Sequence, residues 1–94
     1  MDVQSSMPSL NQKIAVDDGA LAGEEVYGIR YEAPEHMSGW YVTSDSYDGN
    51  IANLKVIDLF SFLPKRKDLI QFLALPPGYE FQIREGKYDV WSTP

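Results

Sequence analysis

Pro76-Pro77-Gly78 is the segment that most limits how this chain can fold. Two consecutive prolines fix φ and remove two backbone donors, so the chain can neither continue a helix nor run through a central strand there. Gly78 then allows a sharp turn. On its N-terminal side, Leu69, Ile70, Phe72 and Leu73 follow a helical spacing, with Asp68 as the expected cap. On its C-terminal side, Tyr79, Phe81 and Ile83 alternate with Glu80, Gln82 and Arg84, the period of a half-buried strand. Glu85-Gly86 reads as a hairpin turn and Lys87 to Trp91 as the return strand. The prolines therefore mark a junction from helix to antiparallel strands.

The same rules divide the rest of the chain. Val26 to Glu32 is expected to be a strand, with Tyr27, Ile29 and Tyr31 alternating with Gly28, Arg30 and Glu32 and Pro34 ending it. Gly39 to Ser44 is the next strand, with Trp40 and Val42 on one face and Tyr41 and Thr43 on the other. Trp40 is expected in the core. Asp45 to Asn50 is a polar loop. Asn53 is then read as the cap of a helix over 54–63, whose apolar face is Val56, Leu59, Phe60 and Leu63. Residues 1–24 are expected to be a flexible arm with a short strand at Lys13 to Val16, and 25–94 a single domain. The order of elements predicts an α+β fold: a small antiparallel sheet of four to five strands with two short helices inserted between strand pairs.

Charge and composition narrow the function. Residues 1–50 hold nine acids against Lys13 and Arg30, a net of −7, whereas residues 51–94 hold five acids against six bases, a net of +1. Phosphate-backbone binding needs clustered Lys and Arg, and Lys65-Arg66-Lys67 is the one cluster, so nucleic acid is not expected as a partner. An acidic surface instead suits a basic protein, whose approach it would accelerate. With no cysteine, neither a disulfide nor a thiolate metal site can form. The N-terminus lacks the basic and apolar regions of a secretion signal, and no apolar run approaches a membrane span, so a cytoplasmic protein without membrane contact is expected.

Catalytic chemistry finds little support in the residues. The loop after Ser44 would place Ser44, Ser46 and Asp48 at calcium-ligand positions, but Lys55 falls where a bidentate glutamate belongs. His36 is the sole histidine, and Ser38 precedes a glycine turn and not a nucleophile elbow. Glu24-Glu25 and Asp17-Asp18 read as solvated loop charges. No cofactor, metal site or enzymatic activity is expected. A binding surface remains: Glu32, Glu35, Asp45, Tyr47 and Asp48 set acids beside aromatics around one strand and loop, the composition of an interface.

The stretch Val26-Tyr27-Gly28-Ile29-Arg30-Tyr31-Glu32-Ala33-Pro34, followed by Ser38-Gly39-Trp40 and later by Leu73 to Phe81, resembles the immunity protein 33-like family of bacterial toxin-immunity domains. The resemblance covers roughly residues 26–91. It implies a small cytoplasmic protein that neutralises a cognate toxin by occlusion; the acidic first half suits a basic toxin, and the residues themselves point to the five named above as the contact set. The alternative reading is a non-enzymatic regulatory or scaffold module, with a homodimer through an edge strand as one form of it.

Overall fold

The computed structural model describes residues 8–92. Among them six strands form one sheet: β1 (Lys13–Val16), β2 (Val26–Arg30), β3 (Met37–Ser44), β4 (Lys55–Asp58), β5 (Tyr79–Arg84) and β6 (Lys87–Ser92). Three one-turn helices accompany them: α1 (Asp18–Leu21), α2 (Leu59–Phe62) and α3 (Ile70–Leu73). The order across the sheet is β4-β1-β3-β2-β5-β6. The α+β class is as expected, with α2 and α3 lying between strand pairs. The sheet has one strand more than expected and is mixed, because β1 runs parallel to β3 while the other neighbours are antiparallel.

Among the described residues the three α-helices pack on one face of the sheet. Ile14, Val16, Val26, Trp40, Val42 and Phe81 point from the sheet into a core completed by Ala20, Leu59, Phe62, Leu69, Phe72 and Leu73. Phe81 stacks on Phe72 at 4.7 Å and meets Trp40 edge-on at 5.4 Å. Trp40 is fully buried, as expected. The 13–16 strand is no peripheral addition, since it lies between β3 and β4 with Ile14 and Val16 in the core. Residues 1–7, where the arm was expected to begin, lie outside the described residues.

Two buried arginines tie the layers together. The Arg30 Nε donates to the Ser38 carbonyl at 2.9 Å, and its Nη1 donates to the Leu75 carbonyl at 2.7 Å and the Leu73 carbonyl at 3.4 Å. Trp40 Nε1 donates to the same Leu73 carbonyl at 3.0 Å, and the guanidinium lies over the Trp40 ring, 5.8 Å from its centroid. Leu73 and Leu75 sit at the end of α3, where carbonyls lack partners within the helix. The backbone closes the same junction, with Gly78 N–H donating to the Arg30 carbonyl at 2.8 Å. Burial pulls the Arg30 guanidinium below its ordinary pKa, an effect that the nearby Glu32 carboxylate opposes. Arg66 plays the corresponding part at the other end of the core: its Nη1 donates to the Ala20 and Glu24 carbonyls, and Nε and Nη2 grip Asp68 at 3.1 and 2.9 Å.

The Ser-Gly-Trp segment is where β3 is locked to both neighbours. The β1–β3 register slips between Lys13 and Ala15, which oppose Met37 and Tyr41. Ser38, Gly39 and Trp40 absorb the extra length. Ser38 Oγ donates to the Lys13 carbonyl at 2.8 Å, and Gly39, at φ +87°, donates no Cβ to a space where one would lie 2.1 Å from the Tyr31 carbonyl oxygen. Only glycine fits that position without moving backbone.

Three expectations fail here. The helix over 54–63 is a 3₁₀ turn at Ile51–Asn53, then strand β4, then the single turn α2. Val56 and Ile57 are β-branched and pair with Ala15 and Ile14, so the strand's ladder outcompetes the helical spacing. Val56 and Phe60 are consequently exposed at 55% and 71%, while Phe62 is buried. The cap is Asn50, which accepts from the Ala52 N–H, and not Asn53. Asp68 likewise caps no helix, because its carboxylate is held by Arg66. The hairpin does form at Glu85-Gly86, whose φ values of +52° and +76° are those of a type I′ turn.

Replacing Arg30 with alanine should destabilise the fold by about 3 kcal/mol, measured by urea denaturation, because the Ser38 and Leu75 carbonyls lose a buried donor. Lysine should recover only part of that loss, lacking the planar fork. Asp68 gives a pH signature. Its hydrogen bond to Arg66 holds its pKa below the ordinary carboxylate value. The stabilisation is therefore present above about pH 4 and is lost as the pH falls through the lower folded-state value. Asp68→Asn should flatten the stability profile on that acid limb, and a limb as steep as in the parent would refute the assignment.

Candidate functional site

The strand β2 determines what the uncovered face displays. Val26, Gly28 and Arg30 are its buried residues, so Tyr27, Ile29 and Tyr31 project from the opposite side. The alternation read from the sequence is present, and the buried set is the one that carries Gly28 and Arg30. Gly28 is required on the covered side because the Phe81 ring occupies the place of a side chain: a Cβ there would lie 2.3 Å from Phe81 Cε2.

Register extends the tyrosine face over neighbouring strands. Tyr27 opposes Thr43 and Ile29 opposes Tyr41 on β3, while on β5 the same two residues oppose Gln82 and Glu80. Trp91 follows on β6, opposite Glu80. Tyr31 and Tyr41 meet edge-on at 5.5 Å, and Tyr27 stacks on Trp91 at 6.3 Å. Tyr27 Oη donates to the Glu80 carboxylate. Burial, then that hydrogen bond and the charge of Glu80, push the Tyr27 pKa well above its ordinary value, so the phenol stays protonated.

The loop after β3 forms a wall beside this face. Tyr47, Ile51 and Leu54 join Tyr27, Ile29, Tyr31, Tyr41 and Thr43 around an apolar cleft of about 470 Å³. Tyr47 and Leu54 also line a more polar neighbouring cleft of about 530 Å³, with Asp17, Asp18, Ser46, Asp48 and Lys55. The wall is anchored by Asp17, which is buried and not a solvated loop charge. Its Oδ1 accepts from the Ala20 and Ser44 N–H groups at 2.9 and 3.0 Å, and its Oδ2 accepts from Ser44 Oγ at 2.6 Å. One carboxylate thus caps α1 and fixes the end of β3.

The five expected contact residues do not form one cluster. Glu32 and Glu35 are exposed in the connection before β3, and Asp45, Tyr47 and Asp48 lie in the loop after it, so the length of β3 separates the two groups. Asp45 is engaged by Arg84 in a bidentate pair at 2.7 and 2.9 Å. Asp48 accepts from the Asn50 N–H and from Asn53 Nδ2, turning inward on its own loop. Tyr47 is half-buried and belongs to both clefts. What connects the two acidic groups is the tyrosine face, which sequence reasoning left unassigned because it gave 26–32 as a half-buried strand without naming the covered side. The available signal was their chemistry, since a tyrosine ring carries a polar tip and tolerates a wet surface.

His36 is exposed and its carbonyl, not its ring, is used, accepting from the Lys13 N–H. Ser38 is buried with its hydroxyl bonded to the Lys13 carbonyl and accepting from the Trp40 N–H. Among the described residues no group of three or more His, Cys, Asp or Glu could hold a metal ion, and no helix is long and apolar enough to cross a membrane.

A model of the Imm33-like domain family matches residues 1–93, well beyond the 26–91 span of the resembling segments. No curated protein and no solved structure matches the chain.

Asp17→Ala should leave the Ala20 and Ser44 donors without their acceptor, destabilising the protein by about 1–3 kcal/mol. Amide exchange should accelerate most in 44–54, the wall of the cleft. Uniform acceleration across the sheet would show that Asp17 acts on the core and not on the wall.

Proposed function

Because the chain belongs to the Imm33-like domain family, we propose that it is an immunity protein that binds a cognate bacterial toxin and neutralises it by occlusion. The family match over residues 1–93 carries this reading. The geometry is compatible with it. A standard interface takes about 800 Å² from each partner, a modest share of the 5832 Å² surface of this protein, and among the described residues no α-helix packs on the second face of the sheet. Occlusion calls for no cofactor and no reaction, in keeping with a non-enzymatic role. The acidic excess of residues 1–50 favours a basic toxin, which such a surface would draw in faster than neutral diffusion. The proposed setting is the cytoplasm of the cell that makes both proteins.

Co-expression with the toxin encoded beside its gene tests the proposal. Growth should be restored, and the two proteins should elute together on gel filtration; no rescue and no complex would overturn it. The double variant Glu32→Lys, Asp48→Lys should associate more slowly with that toxin and with a shallower dependence on salt. An association rate equal to that of the parent at low salt would remove charge steering from the proposal.

A further inference from the structure

We propose that the open face of the sheet is the toxin-contacting surface, and that it receives a lysine or arginine side chain of the toxin between Tyr31, Tyr41 and Tyr27. This deepens the immunity reading and rests on it. The floor of the cleft is Ile29 and Thr43, its sides are tyrosine rings, and Ile51, 75% exposed, stands at its margin. Such a site accepts a long aliphatic stem against the floor and a cation against ring faces. Tyrosine on one partner and arginine on the other are the commonest anchors of protein interfaces.

Charge selects the occupant. The face and its margins carry Glu80, Asp89 and Asp48, together with Asp45, whose charge Arg84 offsets. Of the basic groups on or beside this face, Arg84 is held by Asp45, Lys13 by Asp58 and Lys55 by Asp18, leaving Lys87 at the hairpin end. An incoming cation would meet carboxylates and π-faces; an acidic surface would meet like charge. A second copy of this chain would fit poorly for that reason, because a two-fold contact sets the same acids against one another. The aromatic face also reconciles the two separated acidic groups, which flank its ends and would act at longer range than the anchor itself.

The test measures binding of the toxin encoded beside the gene to four proteins by calorimetry. The double variant Tyr31→Ala, Tyr41→Ala should bind roughly thirtyfold more weakly than the parent, the loss expected for an interface anchor. Tyr31→Phe, Tyr41→Phe keeps the rings and should stay within about threefold. Thr43→Arg, which places a cation on the floor without removing any packing, should weaken binding at least as much as the alanine pair. Alanine and arginine variants that both bind within about threefold of the parent would overturn the inference while leaving the immunity reading intact. A parent protein that binds no toxin would overturn both. Double-mutant cycles between Tyr41→Ala and each toxin lysine or arginine changed to alanine identify the anchor. At least one pair should couple; no coupled pair would overturn the cationic occupant.

Discussion

The Arg30 guanidinium is the point on which the architecture turns. It is buried, and it donates to carbonyls from two distant parts of the chain, Ser38 at the start of β3 and Leu73 and Leu75 at the end of α3. These are the two rigid segments of the sequence, Ser-Gly-Trp and Leu-Pro-Pro-Gly, brought to one group. Arginine suits the position because its fork offers several donors in a fixed plane while its flat face rests on Trp40. A helix end pressed against a sheet leaves carbonyls that water cannot reach, and each costs about 1–3 kcal/mol if unpaired. Arg30 removes that cost and in doing so sets how α3 lies on the sheet.

The same residue explains why one face reads so differently from its sequence. A strand has two faces, and a side chain buried on one sends its neighbours to the other. With Arg30 committed to the core side, Gly28 and Val26 must follow it, and Tyr27, Ile29 and Tyr31 must face outward. Hydrophobicity alone argues for the opposite assignment. The polar residue wins because its hydrogen-bond partners wait on the covered side, and Phe81 from β5 fills the volume that Gly28 leaves.

Where local chemistry decides, the fold was legible. The proline pair ends a helix and begins a strand, the Glu85-Gly86 hairpin forms with both residues at positive φ, and Trp40 and Val42 share the buried face of β3. Where pairing over long distance decides, it was not. Val56, Leu59, Phe60 and Leu63 have helical spacing, yet β1 offers an edge that Val56 and Ile57 complete. Asp17 looks like one of several loop acids, and only the arrival of Ser44 from 27 positions away makes it a buried anchor. The acidic residues of the candidate site could be read one by one, whereas the tyrosines that join them depended on which face Arg30 occupied.

A sheet of this size with helices on one side faces a general difficulty. The open side must be apolar enough to support six strands but polar enough not to aggregate. Tyrosine answers both demands: Tyr27, Tyr31 and Tyr41 supply ring area and cross-strand contacts, and their hydroxyls remain compatible with water. The Tyr27–Glu80 pair and the Arg84–Asp45 pair add charge at the same level. A surface of that composition holds together alone and still gains from being covered, since rings with two χ angles lose little freedom on binding. The requirement that stabilises the bare sheet and the requirement for a protein-binding face are thus met by the same residues, and both follow from the side to which one arginine points.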